Sequence, residues 1–244
     1  DLGKTIKVFY ESFANKKKQP ALILKTSGAS YSIIDKEDIL RKIRSVKKMF
    51  PVDWKLPPVY LLHGDLSNEE MNKLYNHPKV KAFVSLTHGE GFGRPLLEAS
   101  MVGLPIITTN WSGHLDFLSD KYSILINGQL GKVPKSMVWK DIIVEESKWL
   151  NVNELEAGKA FTHAFNNHSE IKSNAKKLMN ENRNKFTLNK MTEKFEEILE
   201  PITSSEVVNL KLPKLTKVKK NTKSSEKGPI KLPKLKKVTA AEAV

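Results

Sequence analysis

The spacing of apolar positions changes repeatedly along the chain. Residues 4–14 (KTIKVFYESFA) carry Ile6, Phe9 and Phe13 at helical spacing, and after a lysine-rich turn the run PALILKTS (20–27) predicts a buried strand. The alternation continues with a helix over 36–49, with Ile39, Ile43 and Val46 on one face, and a strand PVYLLHG at 58–64. Ser67 followed by Glu70 forms a capping box for a helix through Tyr75. Then come a strand KAFVSLT (81–87), a helix over 93–102, a strand PIITT (105–109) and a fifth strand YSILIN (122–127). From 144 to about 199 the pattern predicts helices only. Near-continuous apolar strands separated by helices predict an α/β fold, a parallel sheet covered by helices on both faces.

After residue 200 the periodicity stops. KLPKLTKV (211–218) recurs as KLPKLKKV (231–238) among glycine, serine and lysine, so the chain divides into a domain at 1–200 and a disordered lysine-rich tail at 201–244. That tail holds eleven lysines against Glu206, Glu226 and Glu242, a net +8 of the chain's +14. The basicity is therefore weak evidence for nucleic-acid binding by the domain, and a tail without arginine or aromatic residues makes nucleic acid an unlikely partner. The absence of cysteine excludes disulfides and thiolate metal sites. No apolar run reaches 18 residues and the first residues do not read as a secretory signal, so a cytoplasmic protein without a transmembrane segment is expected.

The chemistry concentrates in THGEGFGRPLLEASMVGLP (87–105), at the carboxyl end of a predicted strand, where parallel α/β sheets bind ligands. Gly89, Gly91 and Gly93 allow a sharp turn and a close backbone approach. The helix that opens beside them directs its unpaired N–H groups to the same place. Glu90 and Glu98 favour hydroxyl groups over phosphate, because a carboxylate accepts from vicinal hydroxyls and repels an anion. A structural strand-to-helix turn with two solvated acids fits the glycines equally well.

The longer string EGFGRPLLEASMVGLPII resembles the signature of retaining glycosyltransferases of the family 4 type, which have the two-domain GT-B fold. The flanks HGDLSNEEMNKLYNHPKVKAFVSLTHGEGFG and TTNWSGHLDFL are similar to that family too, and the resemblance covers residues 3–200. It implies a Rossmann-like, nucleotide-sugar-binding domain, the C-terminal half of a GT-B enzyme that transfers a sugar with retention. Glu98 would bind the ribose hydroxyls and Glu90 the donor sugar. The amides of Phe92 and Gly93 would meet sugar hydroxyls, those of Leu96 and Leu97 the diphosphate, and Gly91 would belong to the same donor-binding loop. His63, Gly64 and Leu66 would meet the base, and His88 the phosphate or sugar, or else a backbone carbonyl. The family stabilises the leaving diphosphate without a metal or other cofactor, and no Asp-x-Asp occurs here.

Two departures stand out. Arg94 occupies an often aliphatic signature position and either pairs with phosphate or is a surface charge. The resemblance begins after the family's first strand, so Lys4 is the candidate for its diphosphate lysine, the accompanying arginine has no counterpart, and the acceptor domain is not included. The alternative class is therefore a non-catalytic, transferase-like scaffold. Its recruiting element would be the tail, whose repeats place Leu212, Leu215 and Val218 on one face of a three-residue-per-turn helix and lysines on another, suiting a protein partner docked by 211–218 and 231–238. Trp54, Trp139 and Trp149 are expected to pack between helix and sheet, and the turn holding Ser112, Gly113 and His114 is a further candidate for ligand contact.

Overall fold

The computed structural model describes residues 2–28 and 31–203; the repeats at 211–218 and 231–238 lie outside the described residues. Contacts divide the chain into Asp1–Leu199 and Glu200–Val244. The first unit alternates α1 Leu2–Phe13, β1 Leu22–Lys25, α2 Ile33–Lys47, β2 Val59–Leu62, α3 Asn68–Tyr75, β3 Phe83–Ser85, α4 Arg94–Met101, β4 Ile106–Thr109 and β5 Ile124–Ile126. It continues with β6 Gly128–Lys132, β7 Lys148–Val152, α5 Glu154–Asn166 and α6 His168–Lys185, after which α7 spans Leu188–Thr203. No helix among the described residues is long and apolar enough to cross a membrane.

The parallel strands are hydrogen-bonded as two ladders, β1–β2 and β3–β4–β5, with Phe83 opposite Ile106 and Ile107 opposite Ile124. Side chains on a strand alternate between faces, and this period builds two cores. Val84, Ile107, Ile124 and Ile126 join Phe9 and Phe13 of α1 and Phe161 of α5 in one cluster. Phe83, Ile106 and Leu125 join Tyr75 of α3, Leu96 and Ala99 of α4 and Leu178 of α6 in the other. Every residue of the central strand β4 is buried. Ile106 and Ile107 each contribute about 1.5–3 kcal/mol by leaving water. The predicted sheet with helices on both faces is thus present.

The expected all-helical stretch does not begin at 144. Lys148–Val152 is a strand, antiparallel to β6, with Trp149 opposite Gly131 and Leu150 opposite Leu130. Leu150 and Val152 enter the core while Lys148 and Asn151 stay exposed, a two-residue period too short to stand out beside the helix that follows. That helix starts only after Asn153, whose Oδ1 accepts from the Leu155 and Glu156 amides. The tryptophans also depart from expectation. Trp139 is 64% exposed, Trp54 lies against Phe50 at 5.9 Å while still 38% exposed, and Trp149 stacks on a loop histidine.

The capping box at α3 forms as read: Ser67 Oγ accepts from Glu70 N at 3.2 Å, and the Glu70 carboxylate accepts from Ser67 N at 2.8 Å. Ser67→Ala is expected to cost about 1 kcal/mol. For a domain of this size that lowers Tm by about 2–4 °C, measured by circular dichroism. An unchanged Tm would show that packing alone holds α3.

Candidate functional site

The chain leaves β3 at Ser85 and enters α4 through the glycine loop. Gly93 is the N-cap, with φ 83° and ψ 48°, a left-handed conformation in which a Cβ would also lie 3.1 Å from the His114 Cβ. No side chain caps α4 and no acid stands in its first turn, whereas α2 has Asp35 there and α3 has Glu69 and Glu70. Arg94 and Pro95 open α4 instead, so the positive end of the helix dipole is reinforced by a cation, which suits an anion. The Leu96 and Leu97 amides both donate to Gly93 O, at 2.9 and 3.1 Å. They can reach a ligand only as shared donors.

The loop is held from several sides. Glu90 N–H donates to Ser112 Oγ at 3.1 Å, the Ser112 hydroxyl donates to Glu90 O at 2.5 Å, and Gly113 N–H donates to the same carbonyl at 3.0 Å. Ser112 sits at φ 84° and ψ −167°, a region open essentially to glycine alone and strained by about 1–3 kcal/mol for other residues. Its two hydroxyl bonds to Glu90 offset that strain. Fully buried His114 bonds Thr109 O through Nε2 at 2.6 Å. The turn singled out as a ligand donor thus commits its Ser112 and Gly113 groups to the backbone of Glu90. The Phe92 ring packs on Phe117 at 5.2 Å and on Phe186 at 6.2 Å.

His88 bonds a backbone carbonyl, one of the two roles read for it: Nδ1–H donates to Leu150 O at 2.7 Å. Burial pushes its pKa down, against the pull of that carbonyl. Glu98 lies one turn into α4, its Oε1 2.7 Å from Arg94 Nε, with the two side chains 36% and 74% exposed. Arg94 is thus a surface cation paired within the helix. Burial, and then the charge of Glu98, pushes Tyr75 up to about 12, so it remains a neutral phenol beside the carboxylate.

His63, Gly64 and Leu66 follow β2, and their contacts run to α2 and β1. His63 Nε2 is 2.9 Å from Asp35 Oδ2 with both side chains largely buried, and Lys25 Nζ donates to Gly64 O at 2.7 Å, Gly64 having φ 123°. The His63 hydrogen bond, with that from the Gly28 amide, holds the Asp35 carboxyl below the usual range. Tyr31 meets the His63 ring edge-on at 6.0 Å. Asp35, Lys25 and Tyr31 carry no motif and were not singled out from the sequence. Leu66 N–H donates to Asp65 Oδ1. Among the described residues no group of three or more His, Asp or Glu is arranged to hold a metal. A cavity of about 280 Å³ lies at the opposite, N-terminal ends of β4 and β5, among Tyr122, Ser123, His163 and Glu170, and no residue of the glycine loop lines it.

Residues 52–149 match the family described as Glycosyl transferases group 1. The capsular polysaccharide biosynthesis glycosyltransferase CapM of Staphylococcus aureus is 35% identical over 81 residues, 33% of this chain and 19% of that protein. Among solved structures, Anabaena HepE in complex with UDP and glucose is 12% identical with a TM-score of 0.55, covering 80% of this chain and 44% of that one. Sucrose-phosphate synthase from Thermosynechococcus elongatus is 14% identical with a TM-score of 0.56, over 83% of this chain and 43% of that one. A Rickettsia africae glycosyltransferase is 13% identical with a TM-score of 0.53, over 84% and 45%. The chain spans less than half the length of these structures, and at such identity they speak for the fold alone. The two-faced sheet and the glycine loop opening α4 agree with that match: over residues 52–149 this chain is similar to the group 1 glycosyl transferases, and its fold is like one half of a GT-B fold.

Proposed function

We propose that the chain is the nucleotide-sugar-binding domain of a cytoplasmic, metal-independent glycosyltransferase that works with retention of configuration. The observation that carries this reading is the start of α4: an uncapped helix N-terminus with Arg94 in its first turn, flanked by Glu90 in the loop and Glu98 one turn on. A donor diphosphate fits the positive end, where developing negative charge on the leaving group is stabilised by the dipole and the guanidinium. Glu98 takes the ribose hydroxyls, Glu90 the donor sugar, and the Gly91, Phe92 and Gly93 amides the remaining sugar hydroxyls. His88 stands beside Glu90, and the base lies towards His63, Gly64 and Leu66. Solved relatives with UDP and a sugar share the fold, which agrees with such a donor.

The Arg94–Glu98 ion pair favours a non-catalytic scaffold, since it occupies the ribose-binding carboxylate. Exposed pairs of this kind are worth about 1 kcal/mol or less. Two ribose hydroxyl bonds to a carboxylate exceed that, so the pair can yield to the donor.

Isothermal calorimetry on the chain is expected to show weak, saturable binding of UDP or GDP that declines with added salt, as a surface-exposed diphosphate site requires. Absence of heat with both nucleotides would overturn the reading.

A further inference from the structure

His88 belongs to the glycine loop, yet its neighbours lie some 60 residues further along the chain. Its Nδ1–H donates to Leu150 O at 2.7 Å and its own carbonyl accepts from Leu150 N at 3.0 Å. Its imidazole lies flat on the Trp149 indole, with centroids 4.0 Å apart and planes 10° from parallel. Trp149 and Leu150 are consecutive residues of β7, so one strand grips the histidine by two hydrogen bonds and a ring face.

That strand is a fixed reference. Leu150 is 4% exposed and Val152 8%, both in the core, and β7 is paired with β6 over five registered residue pairs. Slipping β7 by one residue would turn Leu150 and Val152 out to water. On the other side of the loop, Ser112 and Gly113 hold the backbone of Glu90. The loop is thus clamped between β7 and the turn after β4.

We propose that Trp149 is a positioning residue of the donor site, its stack on His88 fixing the loop that carries Glu90 relative to α4 and Glu98. The functional half of this rests on the donor-site reading above; the stack itself does not. Trp149 is only partly buried and lies outside the core clusters, so its removal leaves β7 anchored through Leu150 and Val152. The indole covers one face of the imidazole and contributes to the burial that lowers the pKa of His88, while Lys4 on α1 acts in the same direction by its charge.

The test compares wild type with Trp149→Ala, Trp149→Leu and Trp149→Phe. The His88 imidazole is titrated by NMR without ligand, and UDP affinity is measured by calorimetry. In Trp149→Ala and Trp149→Leu the His88 titration is expected to move up towards the ordinary histidine range, because water reaches the uncovered face. Trp149→Phe, which keeps an aromatic face, stays near wild type. UDP affinity is expected to fall about three- to tenfold in the first two variants, the range of one aromatic pair, and to be rescued in the third. Identical titration in all four proteins would overturn the stack. Shifted titration with unchanged UDP affinity would overturn the positioning role. Absence of UDP binding by wild type removes the donor-site reading and the positioning role with it, and the titration still decides the stack.

Discussion

Glu98→Ala is expected to reduce UDP binding by about thirtyfold or more while leaving the fold intact. The carboxylate stands on the outward side of α4, 36% exposed, with Arg94 as its partner one turn earlier. If it accepts from both ribose hydroxyls, each bond to the charged group is worth about 1.5–3 kcal/mol, and losing the two amounts to about 3 kcal/mol or more. Against this stands the ion pair that must open first, at about 1 kcal/mol or less. Binding therefore keeps a clear surplus in the wild type and loses it in the variant. Alanine is the best helix former, so Tm should stay within a degree or two. Glu98→Gln keeps the shape and one acceptor and should fall between the two. An alanine variant that binds UDP like wild type would show that the ribose is not held here. Arg94→Ala separates the two readings of that guanidinium: affinity falls if it meets phosphate and rises if it only competes for Glu98.

The elements legible in the sequence were those whose contacts are local or whose period is long. The strands at 58–64 and 105–109 announced themselves as apolar runs, and the capping box at Ser67 is set by residues three apart, so its signature survives in the string. β7 did not, because five residues alternating between Leu150, Val152 and their polar neighbours run directly into Asn153 and the helix it caps. The site divides in the same way. The Gly-Phe-Gly spacing and the two glutamates are contiguous, and the left-handed cap at Gly93 follows from what glycine permits. What holds the loop in place is not contiguous: Ser112 is 22 residues from Glu90, and Leu150 is 62 from His88. No local pattern encodes such partners. Read from the sequence, Ser112 and Gly113 were available to a ligand; in the fold they are engaged by Glu90.

Gly113→Ala should be the most damaging single methyl added near the site. A Cβ there would lie 2.0 Å from Gly91 O, 2.8 Å from Gly91 C and 3.0 Å from Glu90 O, all backbone atoms that no rotamer change can move aside. Either the turn or the glycine loop must shift, and the bond from Gly113 N–H to Glu90 O opens with it. Overpacking of this kind costs about 1–3 kcal/mol. At about 2–4 °C per kcal/mol Tm falls by several degrees, and UDP affinity falls too because Glu90 and the loop amides leave their positions. Gly91→Ala is the contrasting case. A Cβ at Gly91 meets no atom within 4 Å and its φ is not positive, so the fold accepts it, with a gain of up to about 1 kcal/mol from the stiffer unfolded chain. The loop needs bare backbone at 91 only if a ligand comes close to it. Tm unchanged or raised with weakened nucleotide-sugar binding is therefore the expected result for Gly91→Ala. Full affinity in that variant would remove Gly91 from the site, and an unaffected Gly113→Ala would show that the clamp between loop and turn is slack.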